Sequence, residues 1–270
     1  MKSKSLLLAL ALGFFCINFC LPALASGPAR LDLVVEYGVD HQSEAQARLA
    51  IDTAIKFFQN TYKLDLERDL QIVLVPDEDT YRKTLIRCFG YDDNRARKIA
   101  ERSSGLSESG TGGTIILNLG KKPDKENEIF RLCHEIIHQF QSQESRGRSN
   151  SIRWLSEGVA DALAAYILET AGLKTVDYKY SWQETIKKAP RWPRLENLHS
   201  YKEWSASMDA NGPHVTYDTA AVAVLNLVQW KGYKPLFAYF CALKQTGTED
   251  AFFQAFGARI SDFEKQFTPF

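Results

Sequence analysis

Residues 134 to 138 read HEIIH. On a helix, His134 and His138 stand one turn apart on the same face, so both imidazoles can reach one metal ion, while Glu135 lies at the edge of that face. Two ligands do not make a tight catalytic site, which usually takes three protein ligands and leaves a position for water. The third donor must come from elsewhere in the chain. A pattern that continues with Gly at 141 and His at 144 is excluded, because Gln141 and Glu144 stand there.

The segment WLSEGVAD (154 to 161) supplies the missing donor: Glu157 follows His138 with 18 residues between them. That interval leaves room for one helix to end, a loop to turn back, and an antiparallel helix to bring a carboxylate to the histidines. Asp161, one turn beyond Glu157, is placed to accept the free N–H of a liganding histidine. Gly158, lacking a side chain, is expected to let these two helices approach closely. The competing reading makes His134 and His138 satisfied core residues and puts Glu157 and Asp161 on a solvated helix face, which leaves the spacing unexplained.

HEIIH, followed at this distance by the Glu of WLSEGVAD, resembles the gluzincin metallopeptidases, in particular the small peptidase MA-like domains. The likeness is concentrated in residues 125 to 170 and continues more weakly through YDTAAVAVLNLVQWKGY (217 to 233). The resemblance implies one Zn2+ per chain held by His134, His138 and Glu157, with Glu135 as general base and Asp161 orienting a ligand. It implies that TIILNL, through Ile115, Ile116, Leu117 and Asn118, is the edge strand that holds an extended peptide by main-chain hydrogen bonds. Tyr217 would donate to the oxyanion, with His214 as rival and a plain packing role as the alternative. The expected activity is hydrolysis of peptide bonds in a peptide or protein substrate. Two other readings stay open: a catalytically inactive zinc-bound binding module, and a zinc hydrolase acting on a non-protein amide such as cell-wall material.

The elements that must position these residues follow from periodicity. LDLVVEY (31 to 37), QIVLVP (71 to 76) and TIILNL (114 to 119) read as strands, with a helical stretch from His41 to Lys63 between the first two and a polar helix at 78 to 89. SSGLSESGTGG (103 to 113) reads as a loop. From residue 125 onward the pattern is helical, at 125 to 143, 154 to 171, 177 to 188, 214 to 230, 233 to 244, 248 to 256 and 259 to 267. The fold class expected is α+β: a small mixed sheet in an N-terminal α/β part (26 to 123), then a mostly helical zinc-binding and C-terminal part (124 to 270) that begins with the active-site helix, with the cleft between them. Arg146, Arg148 and Arg153 read as a solvated loop, and the tryptophans as core or cleft wall.

With 270 residues and 45% apolar content the chain is long enough for a substantial core. Residues 1 to 25 run from Lys2 and Lys4 through an apolar stretch to Ala23-Leu24-Ala25, the order of a secretory signal cleaved after Ala25. The protein is therefore expected to be secreted or periplasmic, with no stable membrane insertion once the signal is removed. Losing the two lysines turns 33 basic and 33 acidic residues into 31 and 33, a net charge of −2, which argues against a nucleic-acid partner. Cys16 and Cys20 leave with the signal; a Cys88 to Cys241 bridge is the one pairing suggested, and Cys133 reads as a buried apolar residue.

Overall fold

The structure, a computed structural model, describes residues 29–108, 113–120, 125–173 and 176–270. The expected signal, its cleavage point after Ala25, Cys16 and Cys20 lie outside the described residues. The architecture is α+β, with a small mixed sheet and a mostly helical remainder.

Four strands, β1 (Leu31–Val35), β2 (Leu70–Val75), β3 (Gly105–Glu108) and β4 (Gly113–Asn118), form one sheet in the order β1-β2-β4-β3. The first three in that order are parallel, and β3 runs antiparallel to β4, with Leu106 opposite Ile116. The alternation of strand side chains divides the interior. Ile72, Leu74, Ile115 and Leu117 face a large cluster that runs from Ala47 to Ile260, whereas Val73, Val75 and Ile116 join Tyr81, Leu85, Ala96 and Ala100 on the other face. Because the sheet is covered on both faces, β2 reads as a continuous apolar run rather than an alternating one.

The helix between β1 and β2, α1 (His41–Phe57), is capped by Asp40, whose carboxylate accepts from the backbone of Gln42 and Ser43. Its expected last turn forms instead a π-helical segment, Phe58–Tyr62, ended by Lys63 in the left-handed region at φ 59°. Beyond β2 come α2 (Glu78–Phe89) and α3 (Asp93–Arg102), then, after the sheet, α4 (Lys125–Ser145), α5 (Arg153–Thr170) and α6 (Tyr178–Lys188). The remainder is α7 (Tyr201–Asn211), α8 (Pro213–Lys231), α9 (Lys234–Leu243), α10 (Thr248–Phe256) and α11 (Ile260–Gln266). Helices α1 and α4 cover one face of the sheet, and α5 packs between α4 and α8.

Four sequence expectations change here. Helices α3 and α7 and strand β3 were not anticipated, and TIILNL is not an edge strand: β4 is hydrogen-bonded on both sides, so β3 holds the free edge. Cys88, Cys133 and Cys241 are free thiols, so the suggested bridge is absent. Gly158 does bring two helices together, but the partner is α8: a methyl there would stand 2.3 Å from the carbonyl oxygen of Ala220. Among the described residues no helix is long and apolar enough to cross a membrane.

Candidate metal centre

Helix α4 delivers His134 and His138 one turn apart, with their rings nearly perpendicular and their Nε2 atoms 3.0 Å from each other. Helix α5 returns antiparallel and places Glu157 Oε2 3.4 Å from each of those nitrogens. The three donor atoms lie within 4.8 Å of one another, and the group can hold a metal ion. Exposure runs in one direction across the triangle: the side chains of His138, His134 and Glu157 are 18%, 11% and 3% exposed, so the histidines face the opening and the carboxylate forms the floor.

Each imidazole is oriented through its other nitrogen. His134 Nδ1–H donates to Asp161 Oδ1 at 2.8 Å. His138 Nδ1–H donates to Gln141 Oε1 at 2.7 Å, and that amide is fixed in turn by donating to the carbonyl of Ser156 and accepting from the Ser156 hydroxyl. Each ring thus turns its Nδ1 to an oxygen acceptor and its Nε2 to the same place, the arrangement that metal-binding histidines require.

The start of α5 is secured from outside the helix. Its N-cap, Ile152, has no side chain that can accept, so the orphan N–H groups of Arg153 and Trp154 donate to the carbonyls of His199 and Leu198 at 2.9 and 3.0 Å. Trp154 is fully buried and its indole N–H donates to Glu264 Oε1 in α11 at 2.8 Å. The same carboxylate oxygen bonds His199 Nε2 at 2.5 Å.

The electrostatics follow from burial and charge crowding. Burial disfavours the imidazolium of His134, yet Asp161, Glu157 and Glu135 outweigh it and hold its pKa well above the ordinary value. Burial also pushes Glu157 upward, but Arg153 first and then the two histidines reverse this and keep its carboxyl well below the usual range. For Glu135 and Asp161 burial wins, so both are raised despite the neighbouring histidines. The Tyr217 phenol is pushed up by burial and by the charge of Glu157.

The structure thus brings together His134, His138, Glu157, Asp161 and Glu135. Tyr217, on the first turns of α8, shares the charge environment of this group and packs edge-on against Trp204 with ring centroids 4.9 Å apart. His214 is exposed on the same helix. Ile115, Ile116, Leu117 and Asn118 are buried inside the sheet and do not form a binding edge, because both neighbours of β4 already use its main chain. β3 lies nearer: a methyl at Gly105 would stand 3.0 Å from Glu135 Oε1, so glycine there leaves room for the glutamate.

Two residues of the site escaped the sequence reading. Arg153 does not belong to a solvated loop; it heads α5 and pairs with Glu157 Oε1 at 2.8 Å, whereas Arg146 and Arg148 are exposed as expected. The signal available was its position four residues before Glu157 on one helical face. Gln141 carries the same kind of signal, three residues after His138. Neither a scan against models of protein families nor a search of curated proteins finds a match for this chain.

Proposed function

We propose that this protein is a zinc-dependent peptidase of gluzincin type, in which water adds to a peptide carbonyl with Glu135 as general base. The observation that carries the reading is the meeting of three donor atoms within 4.8 Å beside a further carboxylate, Glu135, that is not one of them. Zinc binds nitrogen and oxygen at about 2.0–2.1 Å in tetrahedral geometry, which puts neighbouring ligands about 3.3 Å apart. The donor separations of 3.4, 3.4 and 3.0 Å suit such an ion.

When bound, zinc would acidify a water molecule and polarise the scissile carbonyl. The work of the chain's own residues is to hold and move protons. Asp161 and Gln141 keep both histidines in the tautomer that offers Nε2. Glu135, whose proton affinity burial raises, suits a base that takes a proton from water and passes it to the leaving nitrogen. Tyr217, held protonated, would donate to the carbonyl oxygen as negative charge develops there.

The peptide would add as a strand to β3 rather than β4. Asn118 N donates to Ser104 O at 2.7 Å, and antiparallel alternation from that bond turns the main chain of Gly105 and Ser107 outward. The Ser103 hydroxyl accepts from Gly105 N at 3.2 Å, so among the described residues Ser107 is left to offer the outward pair of this short edge.

Elemental mass spectrometry on the purified protein, with His138→Ala beside it, tests the reading. One zinc per wild-type chain, lost in the variant, is expected; the absence of zinc from both after reconstitution would overturn it. Glu135→Gln should keep the metal and lose cleavage of a peptide library.

A further inference from the structure

Arg153 occupies the first position of α5, one turn ahead of Glu157. Its Nη2 forms an ion pair with Glu157 Oε1 at 2.8 Å, while its Nη1 donates to Asn150 Oδ1 at 3.3 Å. The guanidinium also lies over the ring of Tyr201, 5.8 Å from the centroid. It is therefore held from three directions, and its side chain is 23% exposed. Glu157 divides its two oxygens between different partners: Oε1 belongs to Arg153, and Oε2 faces both histidines at 3.4 Å.

A carboxylate with both oxygens free can grip a cation through both, and a third ligand that did so would crowd the position that a catalytic site reserves for water. Here the second oxygen can swing toward the metal only by breaking a partly buried ion pair, which leaves the arginine charge without its partner. The planar guanidinium of arginine, anchored on Asn150, sets the direction from which its charge meets Oε1, which a freely rotating lysine ammonium would not do.

We propose that Arg153 is a positioning residue that confines Glu157 to one-oxygen ligation and so keeps a coordination position open for water. This rests on the metal-hydrolase reading above. It assigns Arg153 no contact with substrate, and it separates the holding of metal from the capacity to turn over.

X-ray absorption at the zinc edge, together with zinc content and peptide-cleavage kinetics, tests the proposal on the wild-type chain, Arg153→Gln, Arg153→Lys and Asn150→Ala. In Arg153→Gln we expect one zinc per chain, a longer mean zinc–oxygen distance with a higher coordination number, and a fall in kcat of about tenfold or more. Arg153→Lys should recover part of the kcat without restoring the wild-type absorption spectrum. Asn150→Ala, a change at an exposed position, should move the spectrum in the same direction by a smaller amount, and supplies the test if the Arg153 variants fail to fold. Loss of zinc from Arg153→Gln would overturn the proposal, since the arginine would then merely hold a ligand in place. An unchanged spectrum with raised KM would overturn it in favour of substrate binding. A wild-type chain that takes up no zinc would sink the metal reading itself, a result distinguishable from both.

Discussion

At the scale of single residues, this site is set by hydrogen bonds one step away from the donors. Gln141 meets His138 at 2.7 Å as Asp161 meets His134 at 2.8 Å, but without charge. Gln141→Ala should therefore leave the fold intact and weaken zinc binding about 10- to 100-fold, measured by competition against a chromophoric chelator. Equal affinity would show that the α4 backbone alone orients His138. Tyr217→Phe keeps the edge-on contact with Trp204 and removes only the hydroxyl, so kcat should fall about 10²- to 10³-fold with little change in thermal stability. An unaltered rate would take the oxyanion role away from this phenol. The histidine pair and its glutamate were legible in the sequence because their relation is periodic and local. Arg153 was not, because neighbouring arginines at 146 and 148 gave the segment the look of a solvated loop, and only the fold turns one of the three inward.

At the scale of elements, the crossing of α5 over α8 carries the most consequence. A methyl at Gly158 would meet the Ala220 carbonyl oxygen at 2.3 Å and the Ala220 carbonyl carbon at 2.7 Å, which is backbone that cannot rotate aside. Gly158→Ala should cost about 3 kcal/mol or more in denaturant unfolding, and it should lower zinc affinity as well, since the displaced helix carries Glu157. A variant within about 0.5 kcal/mol of wild type would mean that the helices adjust freely. That glycine was readable as a close-approach residue, but its partner was not, because α8 lies some sixty residues further on and sequence alone does not say which helix arrives. Elements that bury little were missed altogether. In α3 only Ala96 and Ala100 are buried, and in α7 only Trp204 and Ser207, too few to print a period. β3 is four residues of GLSE within a glycine- and serine-rich stretch, and its rank as the edge follows from the strand order, which is a property of the whole sheet.

At the scale of the molecule, α11 closes the structure onto the start of α5. Glu264 receives both Trp154 and His199, and His199 also offers its carbonyl to the start of α5. The hydrogen bond and charge of Glu264 raise the pKa of His199 above its ordinary value, against the opposing effect of burial, with Glu203 and Glu196 adding to the rise. Because the folded pKa is the higher one, the protonated pair contributes its full stability below the unfolded value of 6.5 and loses it as pH climbs through the raised folded value. In the zinc-loaded protein, the difference in Tm between wild type and His199→Gln should shrink steadily above pH 6.5. A difference that stays constant from there into the alkaline range would show that the pair is uncharged throughout. The Trp154 to Glu264 bond spans 110 residues, so it also has a meaning in time. On a ribosome adding about 5–20 residues each second, the histidines and Glu157 emerge on the order of ten seconds before the residue that seats their helix. The nascent chain can display its donors during that interval; the start of α5 meets the carbonyls of Leu198 and His199 first, and its buried tryptophan gains a partner only once Glu264 has been made.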